Sequence, residues 1–432
     1  MEIKLKDSGI PWIGAIPQHW DIVRIKDIYR FQTGATPPSK TESYYDGSYL
    51  WANIGDLNGK TLFDTSKHLS DEGVSVCSMN ISPKGSLLYS FKLSVGQVAF
   101  CGVDMYTNEA IATFIGENNS LHYLYYIAPL FIIFNANTNI YGAPILNQDL
   151  IKNALIPIPP LEEQKQIAAW LDSKCYEIDE LIEVEQQMIS ELEAYRQAVI
   201  TEAVTHGLNP DVPMTESGCD WFTSHPVNWK IERIKNLFAK RSEKNNPIKT
   251  KERLSLSIDK GITLYADKTT NLDRFKDDFT QYQLAHPNDI VLNSMNMIVG
   301  AVGKSAYYGC VSPVYYVIYG KSTNVDMDYY GYLLNIPLIR DVYHKLGQGI
   351  YAIERGDGRV NTCRLKVDYY EFSMIHVPVP SVEEQTEIAN YLNEKNKEID
   401  ELIKVKQEKI ETLKQYRQSL IFEAVTGKTK VN

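Results

Sequence analysis

The chain has 432 residues and few of the signatures by which a sequence announces chemistry. Its six cysteines, Cys77, Cys101, Cys175, Cys219, Cys310 and Cys363, are scattered without any C-x-x-C pair. That spacing argues against a zinc site and against a disulfide framework, and it fits a reducing compartment. The greasiest run, around Ile127–Phe134, is far short of the roughly 20 residues a bilayer-spanning helix needs. The opening MEIKLKDSG is polar and has no charged-then-apolar leader, so the expected location is cytoplasmic. There is no G-x-x-x-x-G-K-[ST] loop, no G-x-G-x-x-G after a strand, no H-E-x-x-H and no G-x-S-x-G, and the eight histidines stand singly. The chain is therefore expected to catalyse nothing alone and to hold neither a metal nor a cofactor of its own.

What is present is repetition. Apolar residues at 44% and charged residues at 23% suit a soluble globular protein, and the length suits more than one core. PLEEQKQIAAW (160–170) returns as SVEEQTEIANY (381–391), 221 positions later. Aligned without a gap at that shift, 157–206 and 378–427 share 27 identities in 50 positions, among them EEQ, IDELI, YRQ and EAVT. A looser echo sets DSGIPWIGAIPQHWDIVRIK (7–26) over ESGCDWFTSHPVNWKIERIK (216–235). The chain is a tandem duplication, and each copy has a lead-in, a variable body and a long repeated tail.

The tails predict helices. Pro157, Pro159 and Pro160 forbid helix before Leu161, as Pro378 and Pro380 do in the second copy, and paired glutamates then sit in each first turn. Some 45 residues without Pro or Gly follow, up to Gly207, a rod of roughly 65–70 Å. Apolar positions recur at heptad spacing: Leu171, Ile178, Leu192 and Val199 with Ile182, Ile189 and Ala203, then Leu392, Ile399, Leu413 and Leu420 with Ile403, Ile410 and Ala424. Such a seam needs a partner helix. Charge points to the other tail, because Glu183, Glu185 and Glu193 correspond to Lys404, Lys406 and Lys414. An antiparallel pair crossing at its midpoint is expected to bring Glu185 against Lys406, although a run of charge on a helix is more often just a solvated face.

The bodies show short β-type runs: Ser86–Ser90, Val98–Phe100 and Ala110–Ile115, then Ile290–Leu292, Ala301–Val302 and Val314–Ile318. At a shift of 204, Gly96 falls on Gly300 and Tyr125-Tyr126 on Tyr329-Tyr330. Trp12, Trp20, Trp221 and Trp229 are read as core anchors that close the lead-ins onto the bodies. The expected architecture is α+β: two mixed α/β globular heads separated by two long antiparallel coiled-coil helices, with an internal pseudo-twofold duplication. By this division head 1 is 1–156, the first rod 157–206, head 2 207–377 and the second rod 378–432.

The order head–rod–head–rod, with PxPPLEEQ…IDELI…YRQ…EAVT, resembles the DNA-specificity subunit of type I restriction-modification systems. FQTGATPPSKTESYYDGSYLWANIGDLNG (31–59) is similar to that family's head opening, TG-x-TP followed by W…IGDLN, while head 2 begins FAKRSEKNNPIKTKERLSLSIDKG and departs from it. TPPS (36–39) is only superficially similar to the N/D-P-P-aromatic motif of amino-methyltransferases, lacking both the amide or acid and the ring. The resemblance implies a non-catalytic subunit whose heads are target-recognition domains, each reading one half of a split DNA sequence. It also implies rods that set the spacer and dock two methyltransferase subunits, and motor-nuclease subunits that complete the assembly. S-adenosylmethionine, ATP and magnesium, and the chemistry of adenine methylation, then belong to the partners.

Electrostatics qualifies this reading. The chain carries −10 overall, the wrong sign for a stand-alone DNA binder. The charge is uneven: head 2 (229–377) has 21 basic and 16 acidic residues, head 1 (20–156) has 9 and 12, and the first rod has 3 and 11. Weak DNA binding alone is expected, strengthened by partners that add basic surface. Base readout needs Arg, Lys, Asn, Gln, Ser or Thr on loops, with aromatics for packing. The head 1 candidates are Thr36, Lys40, Tyr44, Tyr45, Lys60, Lys92, Asn108, Asn139 and Tyr141. Those of head 2 are Lys244, Asn245, Lys249, Asn293, Asn296, Lys304, Tyr307, Gln348, Arg355, Arg359 and Asn361. For any one of them an ordinary solvated or core role competes. The competing class is a two-headed coiled-coil scaffold that binds no DNA, which composition permits and the negative charge favours.

Overall fold

The computed structural model describes residues 4–116, 120–138, 142–258, 260–268, 278–350 and 364–431. Two long helices dominate it, Leu161–His206 and Val382–Val425. Each starts directly after its proline-bearing segment and carries two glutamates in its first turn, where the positive end of the helix dipole favours them. Each is followed within two residues by a glycine in the left-handed region, Gly207 at φ +80° and Gly427 at φ +67°.

The chain packs as two compact units whose boundaries fall inside both long helices. The first holds 1–185 and 408–432, the second 186–407. Packing thus groups each head with the two helical halves that touch it, whereas the repeat in the sequence separates head from rod.

In the first unit a five-stranded sheet runs in the order Arg30–Thr33, Ile111–Ile115, Leu87–Ser90, Val98–Cys101, Thr61–Leu62. All its pairs are antiparallel except the last. A smaller three-stranded sheet (Tyr106–Thr107, Tyr49–Ala52, His68–Leu69) forms an outer lobe. Asp21–Arg24 pairs with Leu155–Ile158, joining the start of the head to its end just before the helix. The core gathers Trp20, Tyr89, Phe114, Tyr123 and Phe131 with Leu171 and Cys175 of the first long helix and Ile421, Ala424 and Val425 of the second.

The second unit repeats the plan. Its four-stranded sheet, Phe238–Lys240, Tyr315–Gly320, Ile290–Asn293, Val302–Lys304, has the order of the first four strands of head 1. Lys230–Arg233 pairs with His376–Val379. Trp229, Phe238, Tyr329, Tyr330 and Phe372 pack with Ile200, Ala203 and Val204 of the first long helix and Ile388, Ala389 and Leu392 of the second.

The strands expected from sequence are present in the two main sheets, displaced at their ends by one or two residues, and all are central except Val302–Lys304, which lies at an edge. On the helices, Leu171, Ile178, Ala203, Leu392, Ile399, Ile410, Leu420 and Ala424 of the predicted seam are buried, and the rest are partly buried. The helical halves in each unit run antiparallel. Asp179 meets Arg417 (3.0 Å) while Glu185 meets Lys409 (2.6 Å) in the first, and Arg196 meets Asp400 (2.5 Å) in the second.

Two expectations are corrected. Of the four tryptophans, Trp20 and Trp229 are core, and Trp221 packs partly buried against the core of Trp229 and donates to the His376 carbonyl (2.8 Å), but Trp12 is 36% exposed and stacked on Phe134. The tyrosine overlay also slips. Tyr123 and Tyr329 are the equivalent pair, each donating its hydroxyl to the same carbonyl of the repeated helix, Val425 (3.2 Å) and Val204 (2.9 Å). The shift at this point is 206, because head 2 carries two more residues between its Gly300 and its helix than head 1 does after Gly96.

Candidate nucleic-acid interface

The joint between head and helix explains the repeated motif residue by residue. The Gln of EEQ is fully enclosed in both copies, Gln164 at 1% and Gln385 at 0% exposure. Each donates its amide to the proline carbonyl at the helix entry, Pro159 and Pro380, both at 2.9 Å. Each side-chain oxygen accepts the backbone N–H of the residue that caps the head's own helix, Ser120 (3.3 Å) or Asp326 (2.8 Å). A single amide thus fixes the proline turn and the head helix together, and burial raises the penalty for losing it. The Asp of IDELI and the Arg of YRQ form the ion pairs Asp179–Arg417 and Arg196–Asp400. The final glycine lies against the lead-in tryptophan: a Cβ on Gly427 would stand 2.3 Å from Pro17 Cγ, and one on Gly207 3.2 Å from the Trp229 ring.

The TG-x-TP…W…IGDLN opening is equally architectural. A Cβ at Gly34 would fall 1.7 Å from the Thr107 carbonyl oxygen, so only glycine lets this strand run there. Trp51 Nε1 donates to the Ala35 carbonyl (3.0 Å) and the Tyr45 hydroxyl to that of Pro37 (2.6 Å). Asn53 and Asp56 form a reciprocal capping box over Ile54–Asp56. The motif builds the outer lobe and holds its loops in place.

The structure therefore divides the candidates. Several are committed internally. Thr36 donates to Glu109, the Tyr45 hydroxyl is tied as above, and burial raises its pKa. Lys60 lies 2.6 Å from Asp172 on the first long helix. Asn108 Oδ1 closes a turn onto the N–H of Ala110 (3.1 Å). Lys304 pairs with Asp328. Lys249 pairs with Glu243 (2.5 Å), whose hydrogen bond raises the lysine pKa. Asn245 is a correction: it is 0% exposed, donates to the Thr250 and Phe279 carbonyls and accepts from the N–H groups of Lys249 and Thr250. With its capacity spent on shaping that loop, it has nothing left for a base.

Lys40, Lys92, Lys244, Asn296, Tyr307 and Gln348 are exposed, and Tyr44 and Asn293 are half-buried. Lys92 in head 1 and Asn293 and Asn296 in head 2 fall on the same hairpin connection of the two sheets. Gln348 stands on a hairpin whose other strand leads to Val367, hydrogen-bonded to the Ser294 carbonyl of that connection (3.0 Å). Asn139, Tyr141, Arg355, Arg359 and Asn361 lie outside the described residues. Glu185 is 6% exposed against Lys409, and Lys406 reaches Met188 Sδ at 3.2 Å. Sequence reasoning missed the Gln and Asp–Arg joints, although all of them stand among the identities of the repeat.

Among the described residues, no group of His, Cys, Asp and Glu is arranged to hold a metal, and no helix is long and apolar enough to cross a membrane. The fold and its joints define a class: a two-headed protein whose heads share a plan, differ in surface, and are each clasped by halves of the same two helices. Comparison with known proteins agrees with that class. Residues 17–194 match the type I restriction modification DNA specificity domain. The chain is 31% identical over 189 residues to the MjaIX specificity subunit of Methanocaldococcus jannaschii, spanning 42% of this chain and 42% of that relative. Over 436 residues it is 23% identical to the MjaVIII specificity subunit of the same organism, covering 96% and 94%. Among solved structures it matches a chain from work on complex assembly and conformational transition of the type I R-M system (TM-score 0.67, 16% identity, 95% of this chain and 98% of that one). It also matches the HsdS subunit of Thermoanaerobacter tengcongensis (TM-score 0.51, 17% identity, 96% and 98%). Residues 17–194 thus carry a type I restriction modification DNA specificity domain, and over nearly its whole length the chain is similar to a type I specificity subunit.

Proposed function

We propose that each head reads one half of a bipartite duplex target and that the long helices set the spacer and dock two methyltransferase subunits. The observation that carries this is the contrast within the duplication. The joints are kept identical at Gln, Asp and Arg, while the parts outside the shared sheets are built differently: a TG-x-TP frame with its three-stranded sheet in head 1, and in head 2 two separate antiparallel pairs, Leu254–Ser257 with Gly261–Leu264 and Gln283–Ala285 with Gly309–Val311. Constant joints with divergent lobes suit two readers of unlike sequences. Docking has its own support. Leu181 and Leu402, Val184 and Val405, and Tyr195 and Tyr416 are identical pairs at copy-related positions, all between 49% and 61% exposed. Large apolar residues repeated on an open helix face suit two copies of one partner. S-adenosylmethionine, ATP and magnesium would be carried by the methyltransferase and motor-nuclease partners, leaving this subunit non-catalytic.

The experiment is a head exchange. Replacing 229–377 with the matching segment of a relative and sequencing the methylated sites of the host should change one half of the recognised sequence and leave the other half and the spacer. Alteration of both halves would falsify the two-reader assignment. A chain that supports no methylation and captures no DNA with its partners would favour the scaffold reading.

A further inference from the structure

The hairpin between strands Leu87–Ser90 and Val98–Cys101 of head 1 ends in a tip that no structural need explains. Leu93 there is 91% exposed and has φ +59°, a backbone region a leucine seldom adopts. The tip is firmly held. Ser90 Oγ donates to the Ser94 carbonyl (2.5 Å) and accepts from the Gln97 N–H (2.9 Å), and the Gly96 N–H returns to the Ser90 carbonyl (2.9 Å). Phe91 is 3% exposed and Val95 packs on the core, so the residues on either side are anchored while Leu93 is held out in water. A strained residue kept in place by a rigid frame marks a side chain whose presentation is used.

The surrounding sequence suits a polyanion. Residues 73–103 contain no Asp or Glu, within a head that has 9 basic and 12 acidic residues, and the exposed Lys92 directly precedes the tip. The same connection in head 2, between Ile290–Asn293 and Val302–Lys304, exposes Met295 (42%) and Val299 (51%) beside Asn296. It too lies in an acid-free stretch, 290–325, and it is anchored by the buried Ser294, whose hydroxyl donates to the Val314 carbonyl (2.8 Å). FKLSVG and SMNMIVG share little but the closing Val-Gly and their exposed apolar side chains.

We propose that Leu93 in head 1 and Met295 in head 2 are apolar wedges that enter a groove of duplex DNA and press against the base steps. The proposal rests on the DNA-reading function above and gives each head a contact that acts through stacking and shape. A wedge must be stiff enough to disturb stacked bases and must approach phosphate without a like charge beside it. The hairpin tips meet the first requirement in structure and the second in sequence.

The test uses the full chain at low ionic strength with a pool of short random-sequence duplexes, and reads binding by anisotropy. A photoreactive benzoylphenylalanine replaces Leu93, or in a control Phe63, which is 67% exposed elsewhere on head 1. Crosslinking to DNA at 93, well above that at 63, is expected. Asparagine tolerates the left-handed region, so Leu93→Asn should keep or raise Tm while weakening duplex binding about tenfold, and Leu93→Met should leave binding intact. Binding without a DNA adduct at 93, an adduct to a methyltransferase subunit in its place, or unchanged affinity in Leu93→Asn overturns the wedge and spares the DNA-reading function. Absence of duplex binding in chain and partner-bound complex alike overturns both.

Discussion

At the scale of single residues, the most consequential side chains are the two enclosed glutamines. Each ties a proline carbonyl to the capped N-terminus of a head helix. Gln164→Leu preserves size but abandons a buried N–H and a buried carbonyl, so a loss of roughly 2–4 kcal/mol is expected. Gln385→Leu should act likewise on the second unit. Chemical denaturation of each variant measures this, and a loss below about 0.5 kcal/mol would show that the joint is not held by the amide. The glutamines were visible in the sequence only as identities in a repeat, since nothing in EEQ says which of three polar residues turns inward. Asn245 teaches the converse. Its type suited base readout, yet its loop folds over it, and burial is a property no residue type carries.

At the scale of elements, the helices illustrate what periodicity can and cannot say. The heptad seam foretold burial against a partner helix, because an apolar stripe on a helix must be covered, and the antiparallel orientation was read from the opposite charges of the two tails. The register came from packing: the repeat placed Asp179 and Arg196 on one helix and Asp400 and Arg417 on the other, and only the fold paired them crosswise. A double-mutant cycle on Asp179 and Arg417 should give a coupling of roughly 0.2–1 kcal/mol, since their side chains are 55% and 31% exposed. The cycle on Asp400 and Arg196 should give a similar value, and thermal melts with no coupling in either would undo the pairing. The spacer proposal belongs here too. Four residues inserted after Gln187 add about 6 Å of helix and nearly one turn, so the recognised sequence should gain one or two unspecified base pairs. Two inserted residues rotate the seam by about 200° and should abolish activity. A methylome with the original spacer after the four-residue insertion would assign spacing to the partners.

At the scale of the whole chain, sequence neighbours are not always packing neighbours. The last turns of the second long helix belong to the core of head 1, where Ile421, Ala424 and Val425 are buried and Tyr123 donates to the Val425 carbonyl. Ending the chain after Ser419 should therefore cost head 1 roughly 3–6 kcal/mol, from the burial of Ile421 and Val425 alone. Head 2, which takes its helical support from 186–206 and 382–407, should keep its transition. Calorimetry or limited proteolysis distinguishes the two heads, and equal loss in both would contradict the division into units. The sequence by itself determined the duplication, the two helices with their proline starts and glycine ends, and the central strands of both heads. All of these follow from local periodicity and from residues that fix the backbone. Only the tertiary structure decided which helical half clasps which head, which polar residues are enclosed, and which apolar tip is left in water. Those outcomes depend on contacts between segments hundreds of residues apart, and such contacts leave no periodic trace along the chain.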